Sequence, residues 1–261
     1  MQGMPASADS TRRVVQVIGV PIDAVDWDGA VTRLRQWSIE RASRVVCICN
    51  VHSTVTARRE PAFLRVVREA DMATPDGAPV AWLMRRLGLG GQQRINGPDL
   101  MWRYLADAQA QGQSVFFYGS TPPTLAVLER AVREAFPALH IAGSLSPPFR
   151  PLSAEEDAEV VRTINTSGAG TVWVSLGCPK QERWMAEHRG RIQAAMIGVG
   201  AAFDYHAGTI RRAPRWMQRC GLEWLFRLAA EPRRLWRRYL TTNSLFVWYA
   251  VCQWLGRAAE H

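Results

Sequence analysis

Ala70–Asp71–Met72–Ala73–Thr74–Pro75–Asp76–Gly77 is the stretch on which the fold turns. Pro75 disfavours helix at Thr74, because its ring crowds the preceding residue. Asp76–Gly77 can then cap a new helix through Val80, Leu83, Met84 and Leu87. Upstream, the apolar run Val45–Ile48 passes into Cys49–Asn50, the pattern of a buried strand ending in a polar turn. A carboxylate at that point stands on the rim of a sheet, where α/β enzymes keep a general base. The competing use of Asp76 is as a plain N-cap, a position aspartate favours.

Outward from this stretch the chain alternates strand-like and helix-like segments. Strands are expected at Val14–Ile18, Ser114–Tyr118, Leu139–Ala142, Thr171–Leu176 and Ala194–Val199. Helices are expected at Asp26–Arg41, Pro61–Ala70, Gly77–Leu87, Pro98–Gln111, Pro123–Phe136, Ser153–Asn165 and Pro179–Arg189. Short links between alternating β and α segments imply an α/β fold: a Rossmann-like, mostly parallel sheet with helices on both faces. The expected organisation is a flexible N-terminus (1–13), a core (14–210) and a helical, membrane-associating appendage (211–261).

The 261 residues are 48% hydrophobic, enough for one large core, and carry a formal charge of +9. From Arg211 onward ten arginines face three glutamates, so +7 of that charge lies in the last fifth of the chain. The five cysteines include no C-x-x-C pair, and Cys47 and Cys49 are expected on opposite strand faces, so neither a metal site nor a disulfide is expected. Met1 to Arg13 has no apolar run resembling a secretion signal, which makes a reducing cytoplasmic setting the default expectation.

Three strand ends invite a phosphate. Gly119–Ser120 follows one strand, Gly177–Cys178–Pro179–Lys180 a second, and Gly200 to Asp204 a third. Each offers backbone N–H groups at a helix N-terminus, and Lys180 is the single lysine of the chain. None matches a dinucleotide or P-loop fingerprint; their convergence, rather than any one of them, suggests a nucleotide-like ligand. Asp26–Trp27–Asp28 has the D-x-D spacing of metal-dependent sugar-nucleotide enzymes, but at a helix start capping explains it. No metal or cofactor is expected, and the five histidines show no ligand spacing.

The last fifth interleaves Arg, Trp and Leu and holds five of the eleven tryptophans. Such a surface suits the interface of an anionic membrane. Nucleic acid is the rival partner for a basic aromatic face, but no nucleic-acid motif accompanies it, and none is expected. The polar residues Thr241, Thr242, Asn243, Ser244 and Gln253 argue against a spanning helix.

Together these pieces resemble the TagA/WecG/CpsF glycosyltransferases (glycosyltransferase family 26) over roughly Val14 to Tyr239. The matching segments are Cys49–Asn50, Thr74–Gly77, Arg94–Met101, Gly177–Glu182, Gly198–Asp204, Ala213–Pro214, Gly221–Trp224 and Glu231–Leu235. The resemblance implies inverting, metal-independent transfer from a UDP-sugar to a sugar on a polyprenyl diphosphate, in bacterial surface or extracellular polysaccharide synthesis at the inner face of the plasma membrane. It implies Asp76 as general base, Asn50, Arg94 and Gln181 as orienting residues, and Arg227, Arg234 and Arg237 on the lipid diphosphate. Some members carry Thr-Pro-Asn where this chain has Ile48–Cys49–Asn50, so a hydroxyl is missing there. Donor sugar, acceptor sugar and homo-oligomerisation stay open. The rival functions are a catalytically silent membrane or nucleic-acid adaptor, and an NAD-type oxidoreductase that would lack its glycine fingerprint.

Overall fold

A computed structural model describes residues 12–258; residues 1–11 of the segment expected to be flexible lie outside the described residues. The elements begin with β1 (Val14–Val17), β2 (Val20–Asp23), α1 (Trp27–Ile39), β3 (Arg44–Cys49), α2 (Val51–Arg59), α3 (Pro61–Glu69), β4 (Met72–Pro75) and α4 (Ala78–Arg86). They continue with α5 (Gly97–Ala110), β5 (Ser114–Gly119), α6 (Pro122–Ala135), β6 (His140–Leu145), α7 (Ala154–Thr166) and β7 (Thr171–Ser175). The last are α8 (Lys180–Glu187), β8 (Ala195–Gly198), α9 (Ala202–His206), α10 (Arg215–Arg219), α11 (Glu223–Ala230) and α12 (Pro232–Ala258).

Six strands form a wholly parallel sheet in the order β4-β3-β8-β7-β5-β6. β7 and β8 are buried throughout, as is β3 from Val45 onward, which explains their unbroken apolar runs: parallel strands covered on both faces have no wet side to mark with polar residues. Alternate residues feed two cores. Cys47, Phe116, Tyr118, Val172, Val174 and Met196 pack on one face, and Val46, Ile48, Phe117, Trp173 and Ile197 on the other. Cys47 and Cys49 share the first of these cores, correcting the expectation that they face opposite ways: residues two apart on a strand point to the same side.

The N-terminal strand differs from expectation. Val14–Ile18 is only half of an antiparallel hairpin, and Pro21–Ile22–Asp23, which resembles a turn before a helix, is the other half. The reversal runs through Ile18 (φ 47°) and Gly19 (φ 82°), a left-handed pair in which an isoleucine is unusual. Distant residues hold it there. The Ile18 N–H donates to Gln253 Oε1 (2.7 Å) and its carbonyl accepts from Arg58 Nη1 (2.8 Å). Asp23, 1% exposed, accepts from the Ala73 N–H (2.6 Å) and from Arg12 Nε (2.6 Å), pinning the hairpin beside β4.

Two features of this frame place a site. From β5 the chain continues to β6 at one edge, whereas from the neighbouring β7 it runs the other way to β8. Loops leaving adjacent parallel strands in opposite directions open a crevice at the strands' C-terminal ends. At its floor Gly119 (φ 117°) approaches β7 so closely that a Cβ would lie 2.4 Å from the Ser175 oxygen. The second feature is the C-terminal helix. α12 packs along α2 and buries Phe246 and Ala250, and Gln253 Nε2 donates to the Gln16 carbonyl (2.6 Å), tying the helix to the hairpin. No helix among the described residues is long and apolar enough to cross a membrane.

Candidate active site

The crevice deepens into a cavity of about 830 Å³, floored by the ends of β3, β7 and β8 and the loops after β4 and β5, and roofed by α11 and α12. Asn50, Asp76, Arg94, Ser120, Gly177, Gln181, Gly200, Asp204, Arg227 and Arg234 all line it. Gly119 lies just beneath, supporting Ser120. Lys180 is exposed and not part of the lining, and Arg237 turns outward with its guanidinium 5.2 Å from the Trp236 ring centre.

Asp76 is not the N-cap of α4. That position belongs to Gly77, with no side-chain cap bond, while the Asp76 N–H donates to the Cys49 carbonyl (2.9 Å). Extending the β3 edge in this way leaves the Asp76 carboxylate for Arg94, whose Nε lies 3.3 Å from Oδ1. A second nitrogen of the same guanidinium, Nη2, pairs with Glu223 of α11. Burial pushes the Asp76 carboxyl above the usual 3.8, Arg94 pulls it back, and Glu223 adds to the rise. The side chain keeps 19% exposure, so it is desolvated yet reachable from the cavity. A carboxylate of that kind is a stronger base than one in water.

The neighbours are held by their own backbones. Asn50 caps α2, its Oδ1 accepting from the Ser53 N–H (3.1 Å), which leaves its amide nitrogen for the cavity. Gln181 spans two loops: Oε1 accepts from the Gly200 N–H (3.0 Å) and Nε2 donates to Glu182 Oε1 (2.9 Å). Glu182 is 1% exposed, its second oxygen has no partner, and burial raises its pKa. The Ser120 N–H and the Ser175 hydroxyl clasp neighbouring loops, on the Ser175 carbonyl (3.0 Å) and the Gly200 carbonyl (2.7 Å). Asp204 is raised by burial and lowered by Thr209, Arg234 and Arg227. Ile48 lines the cavity with hydrocarbon, so no hydroxyl is restored at that position. Asp26 caps α1 through the Gly29 N–H (2.7 Å), the alternative to metal binding for the D-x-D pattern.

Several lining residues escaped the sequence reading. Arg238 faces the cavity where Arg237 had been expected, and the signal was available: Arg234, Arg238, Thr242 and Phe246 follow one another at helical spacing on a single stripe of α12. His52, in the first turn of α2, is lowered to about 4 by burial and then by Arg238, so it is neutral near pH 7. Arg212 and Glu223 come from the tail but bind the core, Arg212 Nη2 donating to Asp99 Oδ2 (2.9 Å) at the start of α5. Glu223 lies within the matching segment Gly221–Trp224, whereas no local pattern marks Arg212.

The arrangement offers one desolvated carboxylate, the amide nitrogen of Asn50 and a roof of guanidinium groups. That set can remove a proton from a neutral nucleophile and stabilise a phosphate leaving group. Comparison with known proteins gives the same chemistry a family context. Residues 15–260 match the model of the Glycosyl transferase WecG/TagA/CpsF family. A relative from Bacillus spizizenii, an N-acetylglucosaminyldiphosphoundecaprenol N-acetyl-beta-D-mannosaminyltransferase, is 34% identical over 186 residues, covering 71% of this chain and 70% of its own.

Proposed function

Because the chain belongs to the WecG/TagA/CpsF glycosyltransferase family, we propose that it transfers a sugar from a UDP-sugar to a sugar carried on a polyprenyl diphosphate, inverting the anomeric carbon and using no metal. The observation that carries this reading is Asp76, a desolvated carboxylate open to a cavity with arginines along its roof. The acceptor hydroxyl attacks the anomeric carbon from the side opposite UDP. Its proton passes to an Asp76 carboxylate oxygen as the new C–O bond forms, and the bond to the diphosphate oxygen breaks with its electrons leaving on UDP. The roof arginines receive that charge.

The acceptor explains the tail. Trp216, Trp236, Trp248 and Trp254 are 47–64% exposed, and Leu240 and Val247 exceed 60%, an apolar surface beside the cavity roof. Indoles and arginines together suit a membrane interface, which would bring the lipid diphosphate to Arg227, Arg234 and Arg238. A panel of UDP-sugars offered with a short-chain polyprenyl-diphosphate-linked N-acetylglucosamine tests the reading through UDP release, with and without chelator. Release with one donor, unaffected by chelator, is expected. Release that requires a divalent ion overturns the metal-free mechanism, and release with no donor overturns the assignment.

A further inference from the structure

Arg94 has two carboxylate partners that come from distant parts of the chain: Asp76, just after β4, on its Nε and Glu223, at the start of α11, on its Nη2. Glu223 is in turn held by a second cation, Arg212 Nε at 3.7 Å from its Oε1, and Arg212 is anchored on Asp99. α11 is seated firmly enough to make this a built contact. Gly221 (φ 74°), just before the helix, lies so close to the first turn of α4 that a Cβ would meet the Ala78 Cβ at 2.7 Å. Glu223 and Arg94 keep only 20% and 21% exposure, so their attraction is little weakened by solvent.

We infer that Glu223 is a positioning residue for the reaction: by holding the Nη2 of Arg94 it keeps that guanidinium shared between two carboxylates, so that the Asp76 base is completed only when α11 is docked. The inference rests on the reading of Asp76 as the base. A guanidinium devoted to Asp76 alone would stabilise the charged carboxylate and make it a poorer proton acceptor. Glu223 opposes this, and the contact lies on the same C-terminal helices whose apolar surface is offered to a membrane. The other ionisable groups facing Asp76 are Arg227 of α11, which favours its charge, Tyr205 of α9 and Cys49 of β3. Burial raises both the phenol and the thiol, so they stay neutral where Asp76 titrates.

The test reads the Asp76 carboxyl directly, by carbon NMR of protein labelled at aspartate, with its resonance assigned from its loss in Asp76→Asn. In Glu223→Gln, which keeps the shape and a hydrogen bond to Arg94 but not the charge, the midpoint is expected to fall by about half a pH unit or more. In Arg212→Gln, which frees Glu223 from its second cation, it is expected to rise, and this variant carries the test alone if the other folds poorly. The acid limb of kcat/KM should move with each midpoint. Midpoints that stay at the wild-type value, or a rise in Glu223→Gln, overturn the inference while leaving the base assignment standing. Full-speed turnover by Asp76→Asn sinks the base assignment without touching the titration.

Discussion

Replacing Gly119 by alanine attacks the crevice at its floor. At φ 117° this residue sits outside even the left-handed region that asparagine tolerates, and the added Cβ would lie 2.4 Å from the Ser175 oxygen and 2.6 Å from its carbonyl carbon, both backbone atoms. Backbone strain of this kind costs about 1–3 kcal/mol. Relieving the clash moves β5 away from β7 and endangers the hydrogen bond from Ser120 to Ser175, worth about 1 kcal/mol. The combined expectation is a loss of about 2–4 kcal/mol. Gly112→Ala is the control, because Gly112 also has positive φ (65°) but nothing within 4 Å of the added atom; its cost is about 1–2 kcal/mol. Urea unfolding of the three proteins at a common slope gives both numbers. If Gly119→Ala and Gly112→Ala lose the same stability, the close approach of β5 to β7 is not what the crevice depends on.

Three further expectations follow from the site and its roof. Asp76 must be ionised to accept a proton, and its pKa lies above the usual 3.8, so activity should fall as pH drops through a midpoint above that value; a kcat/KM profile flat down to pH 4 contradicts this. Arg238→Ala should raise KM for the lipid-diphosphate acceptor by about tenfold or more, the scale of one charge-assisted hydrogen bond, whereas Arg237→Ala should change it little. Phe246→Ala should cost about 3 kcal/mol or more, because this 3% exposed ring of α12 is part of the hydrophobic core; a loss below 1 kcal/mol would mean that the roof is not packed there.

How much of this was legible depended on range. Most of the sheet could be read because its apolar strands announce themselves locally, as Val45–Cys49 and Thr171–Ser175 do, whereas the four-residue β4 (Met72–Pro75), with Thr74 and Pro75, carries no such run. The strand-end loops could be read because glycine and proline punctuate them. The hairpin could not, since Ile18 adopts its left-handed backbone under bonds from Arg58 and from Gln253, 235 residues away. Asp76 illustrates the same limit within a single residue. Its sequence neighbours suit a cap as well as a base, and the pairing with Arg94, 18 residues on, which also holds Glu223 on the tail, is not legible in them. Arg237 and Arg238 differ in phase: one residue on a helix turns the side chain by about 100°, and the stripe of Arg234, Arg238 and Thr242 that faces the cavity was visible in the spacing.

The most direct measurement is single-turnover UDP release by Asp76→Asn, with UDP binding measured in parallel to show that the pocket is intact. Loss of a general base predicts a rate lower by about a hundredfold to ten-thousandfold with nucleotide affinity retained. A rate within threefold of the wild type, on an intact pocket, would contradict the account.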